Sequence, residues 1–163
     1  MTMPFSIQWE GADELLRKMD KLPEKAAKIA AEALYEGAGV MADAVSQAVH
    51  GIATEKFQYA AGGRKRMPSP EEKAILESAK HGVAKFRNDG TKIQTSIGFD
   101  NAGYAELNGK VKPIPLIANS INHGTSFMKK QPFLRKAFSQ NQGAAVAAVE
   151  AGIKAREDEL ELD

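Results

Sequence analysis

The chain predicts an α+β fold, a small antiparallel sheet packed against a long Ala-rich helix and a C-terminal helix. Three observations predict it. Small and apolar residues recur at helical spacing over 23–49, and again over 132–160. Short alternating stretches, at 5–10 and over 83–99, carry the two-residue period of strands.

Phe5, Ile7 and Trp9 alternate with Ser6, Gln8 and Glu10, as in a strand with one buried face. Gly11 ends that stretch. Residues 12–22 read as a short amphipathic helix with Leu15, Leu16, Met19 and Leu22 on one side. Pro23 then starts the long helix, with Glu24 near its positive end. Ala26, Ile29, Ala30, Ala33, Gly37, Val40, Met41, Ala44 and Ala48 form its stripe. Gly37 and Gly39 would each cost about 1 kcal/mol against Ala in a helix interior. They are therefore read as sites where a sheet or a second helix approaches closely; the alternative is a kink.

Residues 50–69 show no period and contain Gly51, Gly62, Gly63, Pro68 and the basic run Arg64-Lys65-Arg66. They are expected to form a long flexible loop. Ser69-Pro70-Glu71-Glu72 is a helix start, with Ser as N-cap and Glu at the third position. Two strands are expected around Asn88-Asp89-Gly90, and Asn108-Gly109 marks a further turn. Leu116 to Asn122 reads as a short helix closed by Gly124. The last helix is expected to open at Pro132 and to place Phe133, Leu134, Ala137 and Phe138 on one face, with a possible break at Gly143. Its acidic end, about 157–163, is expected to fray, because negative charge opposes the dipole there.

With 163 residues the expectation is a single domain, 1–163. A net charge of +1 does not point to a nucleic-acid binder. Cysteine is absent, which removes disulfides, thiolate metal sites and a Cys nucleophile. The start carries no secretory pattern, and no stretch reaches the roughly 20 apolar residues of a membrane span.

No catalytic constellation is visible. His50, His81 and His123 are scattered, without a second ligand at metal spacing. Gly62-Gly63-Arg64-Lys65 lacks the spacing of a phosphate-cradling loop. No cofactor is expected. The basic residues form two groups: Arg64, Lys65 and Arg66, and then Lys110, Lys112, Lys129, Lys130, Arg135 and Lys136 with no acid between Lys110 and Lys136. They could meet phosphates, the acidic face of a neighbouring subunit, or only solvent.

The stretch Asn122-His123-Gly124-Thr125-Ser126, followed by Gln131-Pro132-Phe133-Leu134, reads as a helix stop and restart. Gly124, Thr125 and Ser126, with Pro132, Phe133 and Leu134, resemble the C-terminal signature of the HK97 gp10-like family. Those are the tail-completion or head–tail joining proteins of tailed phages. The opening, Leu15-Leu16-Arg17-Lys18-Met19-Asp20-Lys21-Leu22-Pro23 before an Ala-rich helix, is similar to the family's usual start. Two departures stand out. Asn122 and His123 occupy places where members often carry an acid and an aromatic, and Ser69-Pro70-Glu71-Glu72 replaces an Ala-Pro…Thr-Gly-x-Leu element.

The resemblance implies a non-enzymatic virion protein at the neck or upper tail, assembled in the host cytoplasm. It implies a ring of copies that meets head connector and tail tube or tail terminator proteins. DNA in the lumen would be met without sequence specificity, and no membrane is involved. The alternative is a nucleic-acid-binding accessory protein using the basic stretches. The named basic residues are the candidate subunit or partner contacts.

Overall fold

Pro23 begins a 28-residue helix, α1, Pro23–His50. The computed structural model describes residues 23–56, 64–79, 82–83, 87–88, 93–94, 97–99 and 102–161. The expected N-terminal strand and the helix over 12–22 lie outside the described residues. After α1 come α2 (Pro70–Ser78), β1 (Gly82–Val83), β2 (Arg87–Asn88), β3 (Ile93–Gln94) and β4 (Ile97–Gly98). Then follow β5 (Tyr104–Leu107), β6 (Lys110–Pro113), α3 (Ile114–His123) and α4 (Phe133–Glu161). The class is α+β.

The described strands pair two by two, β2 with β3 and β5 with β6 antiparallel. β2 pairs with β3 in the register Arg87↔Gln94 and Asn88↔Ile93, and β1 pairs with β4. Asn88, expected in the turn, is paired within β2, and residues 89–92 lie outside the described residues. β5 pairs with β6, Leu107 opposite Lys110 and Tyr104 opposite Pro113. Asn108 and Gly109 both take positive φ, 53° and 71°, as a two-residue type I′ hairpin turn requires.

The described residues within Ala42–Gly82 and Gly98–Gln140 form one compact unit. Those within Pro4–Met41, Val83–Ile97 and Asn141–Asp163 form another.

In the second unit the small-residue stripe of α1 meets a helix. Ala33, Leu34, Val149 and Ile153 make a buried cluster. A Cβ on Gly37 would strike the Val149 side chain and come within 2.9 Å of the Ala145 carbonyl oxygen. A Cβ on Gly152 would lie 3.2 Å from the Ala33 Cα. The pairings 33 with 152 and 37 with 145 run in opposite senses, so α1 and α4 are antiparallel here. Gly39 has open space around it, so it is not a packing site. The buried stripe also takes in Leu34 and Ala38, which the spacing argument left out, and leaves Ala30 and Val40 half-buried. α4 runs through Gly143 unbroken.

In the first unit Val45, Val49, Leu76, Phe99, Leu107, Ile117, Ile121, Met128, Phe133 and Leu134 are buried. Phe99 and Phe133 meet edge to face, ring centres 6.4 Å apart. Part of the expected loop 50–69 is tied down. Ile52 is buried, the Glu55 N–H donates to the Pro68 carbonyl (3.1 Å), and the Gln131 amide brackets the backbone of Ala53 at 2.8 and 3.0 Å. Residues 57–63 lie outside the described residues.

Candidate functional site

The stop and restart between α3 and α4 is built by reciprocal hydrogen bonds. Gly124 follows α3 with φ 75° and ψ 170°, a region open to glycine alone. A Cβ there would sit 2.8 Å from the Lys130 Cβ and 3.0 Å from its backbone nitrogen. Thr125 fixes the next turn. Its Oγ1 accepts from the N–H groups of Phe127 (3.1 Å) and Met128 (2.9 Å), and its own N–H donates to the Met128 carbonyl (3.0 Å). The Gln131 N–H donates to the Ile121 carbonyl at 2.7 Å, satisfying an end of α3.

Pro132 accepts the first intrahelical bond of α4, from Lys136 N–H (3.0 Å). It is therefore the N-cap, one place earlier than the expected first helical position. Proline has no capping side chain. Asn122 supplies one from α3: it is 4% exposed, and its Oδ1 accepts from the Leu134 N–H at 3.1 Å. Of the signature residues, Phe133 and Leu134 are buried, Pro132 and Gly124 half-buried, and Thr125 and Ser126 exposed. Their visible work is to hold this connection.

Arg66 is not a free cation. Its guanidinium donates to both carboxylate oxygens of Glu72, each at 2.9 Å, and to the Met67 carbonyl at 3.2 Å. The expected capping box of α2 is present, Ser69 accepting from Glu72 N–H and Glu72 accepting from Ser69 N–H. Burial disfavours the charged Glu72 carboxyl, but the hydrogen bonds from Arg66 and Ser69 outweigh it and hold its pKa below the ordinary carboxylate value. The hydrogen bond to Glu72 raises the Arg66 pKa in turn. Arg66 thus leaves the set of candidate contacts and joins the internal frame.

Its backbone does the further work. Arg66 forms a parallel bridge with Met128: its N–H donates to the Phe127 carbonyl (2.8 Å), and its carbonyl accepts from Lys129 N–H (2.9 Å). This sets Arg64 and Lys65 alongside the turn that carries Phe127, Lys129 and Lys130. All four cations are exposed, and among the described residues none of them pairs with a carboxylate. Phe127 is 77% exposed although its backbone is hydrogen-bonded on both sides. An exposed aromatic on a hydrogen-bonded turn, with exposed cations on the two segments that the bridge joins, is the candidate site.

The other predicted contacts lie on other elements. Lys110 and Lys112 are on β6, beyond the 10 residues of α3, which measure about 15 Å. The long basic stretch is therefore two groups in space. Tyr104 and Val111, both 73% exposed, stand with Glu106 on the outer face of that hairpin. Arg135 and Lys136 are exposed on the first turn of α4. Sequence reasoning missed Phe127, Asn122 and Gln131. A lone aromatic between Thr125-Ser126 and Lys129-Lys130 was the signal for the first.

A concavity of about 320 Å³ is lined by Lys28, Ala31, Glu32, Tyr35, Glu36 and Arg156. Its charges are matched within the chain, Arg156 pairing with Glu32 at 3.0 Å and with Glu36 at 2.7 Å. His50 lies 3.0 Å from Glu77, and His123 lies 3.3 Å from the Asn122 amide; His81 is outside the described residues. Among the described residues no group of His, Asp or Glu is arranged to hold a metal ion, and no helix is long and apolar enough to cross a membrane. In comparisons with known proteins, no family model, no curated protein and no solved structure matches the chain.

Proposed function

We propose that this chain is a structural virion protein of a tailed bacteriophage. It acts at the neck or upper tail, in tail completion or head–tail joining, by assembly into a ring and not by catalysis. The order and spacing of Gly124-Thr125-Ser126 and Pro132-Phe133-Leu134 support this reading through the family they resemble. The observation that carries it is the surface beside them. Phe127 is exposed on a hydrogen-bonded turn, and Arg64, Lys65, Lys129 and Lys130 are exposed on the two bridged segments that meet there. An aromatic held ready in this way costs little to order on docking, which is how contact hot spots gain affinity.

In a head-to-tail ring each copy offers two different surfaces, one to each neighbour. Its neighbours along the axis would be head connector and tail tube or tail terminator proteins. Imaging of the assembled particle tests the reading. The expected outcome is several copies around the head–tail axis; one copy per particle, or a place away from the axis, would sink it.

The same unpaired cations favour a second reading, a nucleic-acid-binding accessory protein. Retention on DNA separates the two. A binder loses affinity steeply with salt, because each phosphate contact releases counterions. A joining protein shows little retention at any salt.

A further inference from the structure

We infer that the Phe127 platform docks the acidic segment 157–163 of a second copy of this chain. This deepens the ring reading and rests on it. Two observations converge on that occupant.

The first is the charge of α4. Its first turn carries Arg135 and Lys136 and no acid; its last turn carries Asp158, Glu159 and Glu161 and no base. A helix is stabilised by the opposite arrangement, acids at the start and bases at the end. Both ends of α4 are therefore charged against the helix's own field. Charges kept in that sense have a use outside the helix. The basic end of one copy meeting the acidic end of the next relieves both.

The second is composition. The segment Glu157-Asp158-Glu159-Leu160-Glu161-Leu162-Asp163 sets two leucines among five acids. The platform sets one exposed phenylalanine on the two bridged segments that carry Arg64, Lys65, Lys129 and Lys130. Each is the chemical complement of the other, apolar to apolar and carboxylate to cation.

A contact that joins two different surfaces propagates, and closes as a ring when the rotation allows.

Disulfide trapping in the full chain tests the contact, because the native chain has no cysteine to compete. Ser126→Cys places a thiol beside Phe127 without removing it, and Glu161→Cys places one between the two leucines. Mixed in equal amounts, these variants should form a mixed disulfide at least tenfold faster than Ser126→Cys mixed with Gln140→Cys, an exposed site elsewhere on α4. Adding Phe127→Ser to the first variant should return the rate to that of the control pair. Equal rates from the start would overturn the proposal.

A labelled peptide of residues 157–163 and a labelled DNA oligonucleotide, titrated separately onto the unmodified chain, give an independent reading. Peptide binding that is lost in Phe127→Ser supports the contact. DNA binding that is lost in Phe127→Ser, with no binding of the peptide, makes this surface a nucleic-acid site and overturns it. The two failures are distinguishable. Trapping can fail in a protein that imaging still places on the axis, and can succeed in one that imaging places elsewhere.

Discussion

Glu72 accepts from three donors at once, both terminal nitrogens of Arg66 and the N–H of Ser69. Its carboxylate therefore caps α2 and holds the strand-like segment that supports the Phe127 turn. Its pKa is lowered in the folded chain, so its stabilising effect is complete above the unfolded value near 4.5 and is lost as pH falls through the folded value. Glu72→Gln is predicted to lower stability at neutral pH by about 2–3 kcal/mol, combining a weakened cap with a half-buried, unpaired arginine. It should also flatten the decline of melting temperature in acid; melting curves from pH 7 to pH 3 check both. Phe133 is 6% exposed against Phe99, so Phe133→Ala is predicted to cost about 3–5 kcal/mol. A variant that melts like the parent would mean that the ring is not a core contact.

At the scale of elements, two glycines of α1 that look alike in sequence have opposite structural roles. Gly37 lies where α4 presses on α1, and an added methyl would meet Val149 and the Ala145 carbonyl. Gly39 faces open space. Gly39→Ala is predicted to stabilise the chain by about 0.5–1 kcal/mol through the helix-propensity gain alone. Gly37→Ala should destabilise it by about 1–3 kcal/mol, because overpacking outweighs that gain. Chemical denaturation of the two variants side by side is the check. Equal shifts of the same sign would remove the helix–helix contact from the account. The α3–α4 connection follows a similar logic, since a proline N-cap works there only because Asn122 donates the missing acceptor from the preceding helix. Asn122 thus supplies a capping oxygen there without burying a charge.

For the whole molecule, the basic and acidic surfaces make a salt prediction. Exposed ion pairs are worth only about 0–1 kcal/mol each, so Phe127 and the leucines must carry most of the affinity. Charge then sets pairing and rate. Screening shortens from about 30 Å at 0.01 M salt to about 3 Å at 1 M. Self-association of the purified chain is therefore predicted to weaken by roughly tenfold over that range, which charge contacts worth about 1.4 kcal/mol in total would produce. Phe127→Ser should abolish it at both ends. Sedimentation at several concentrations measures it; association that strengthens with salt would mean the contact is apolar alone.

The linear chain determined the elements that rest on short-range rules. Helical spacing marked α1 and α4, Ser69-Pro70-Glu71-Glu72 marked the start of α2, and Asn108-Gly109 marked the β5–β6 turn, because cap and turn chemistry acts within four residues. The basic residues were legible as charge, but not as a site. Only the tertiary structure separated Arg66 from its run, by turning it inward to Glu72, and joined the segment of Arg64 and Lys65 to that of Phe127, Lys129 and Lys130. The bridge that does this spans residues 66 and 128, and no spacing rule reaches that far along a chain. Gly37 and Gly39 were equivalent for the same reason, since what surrounds a residue is set by segments distant in sequence that packing alone brings beside it.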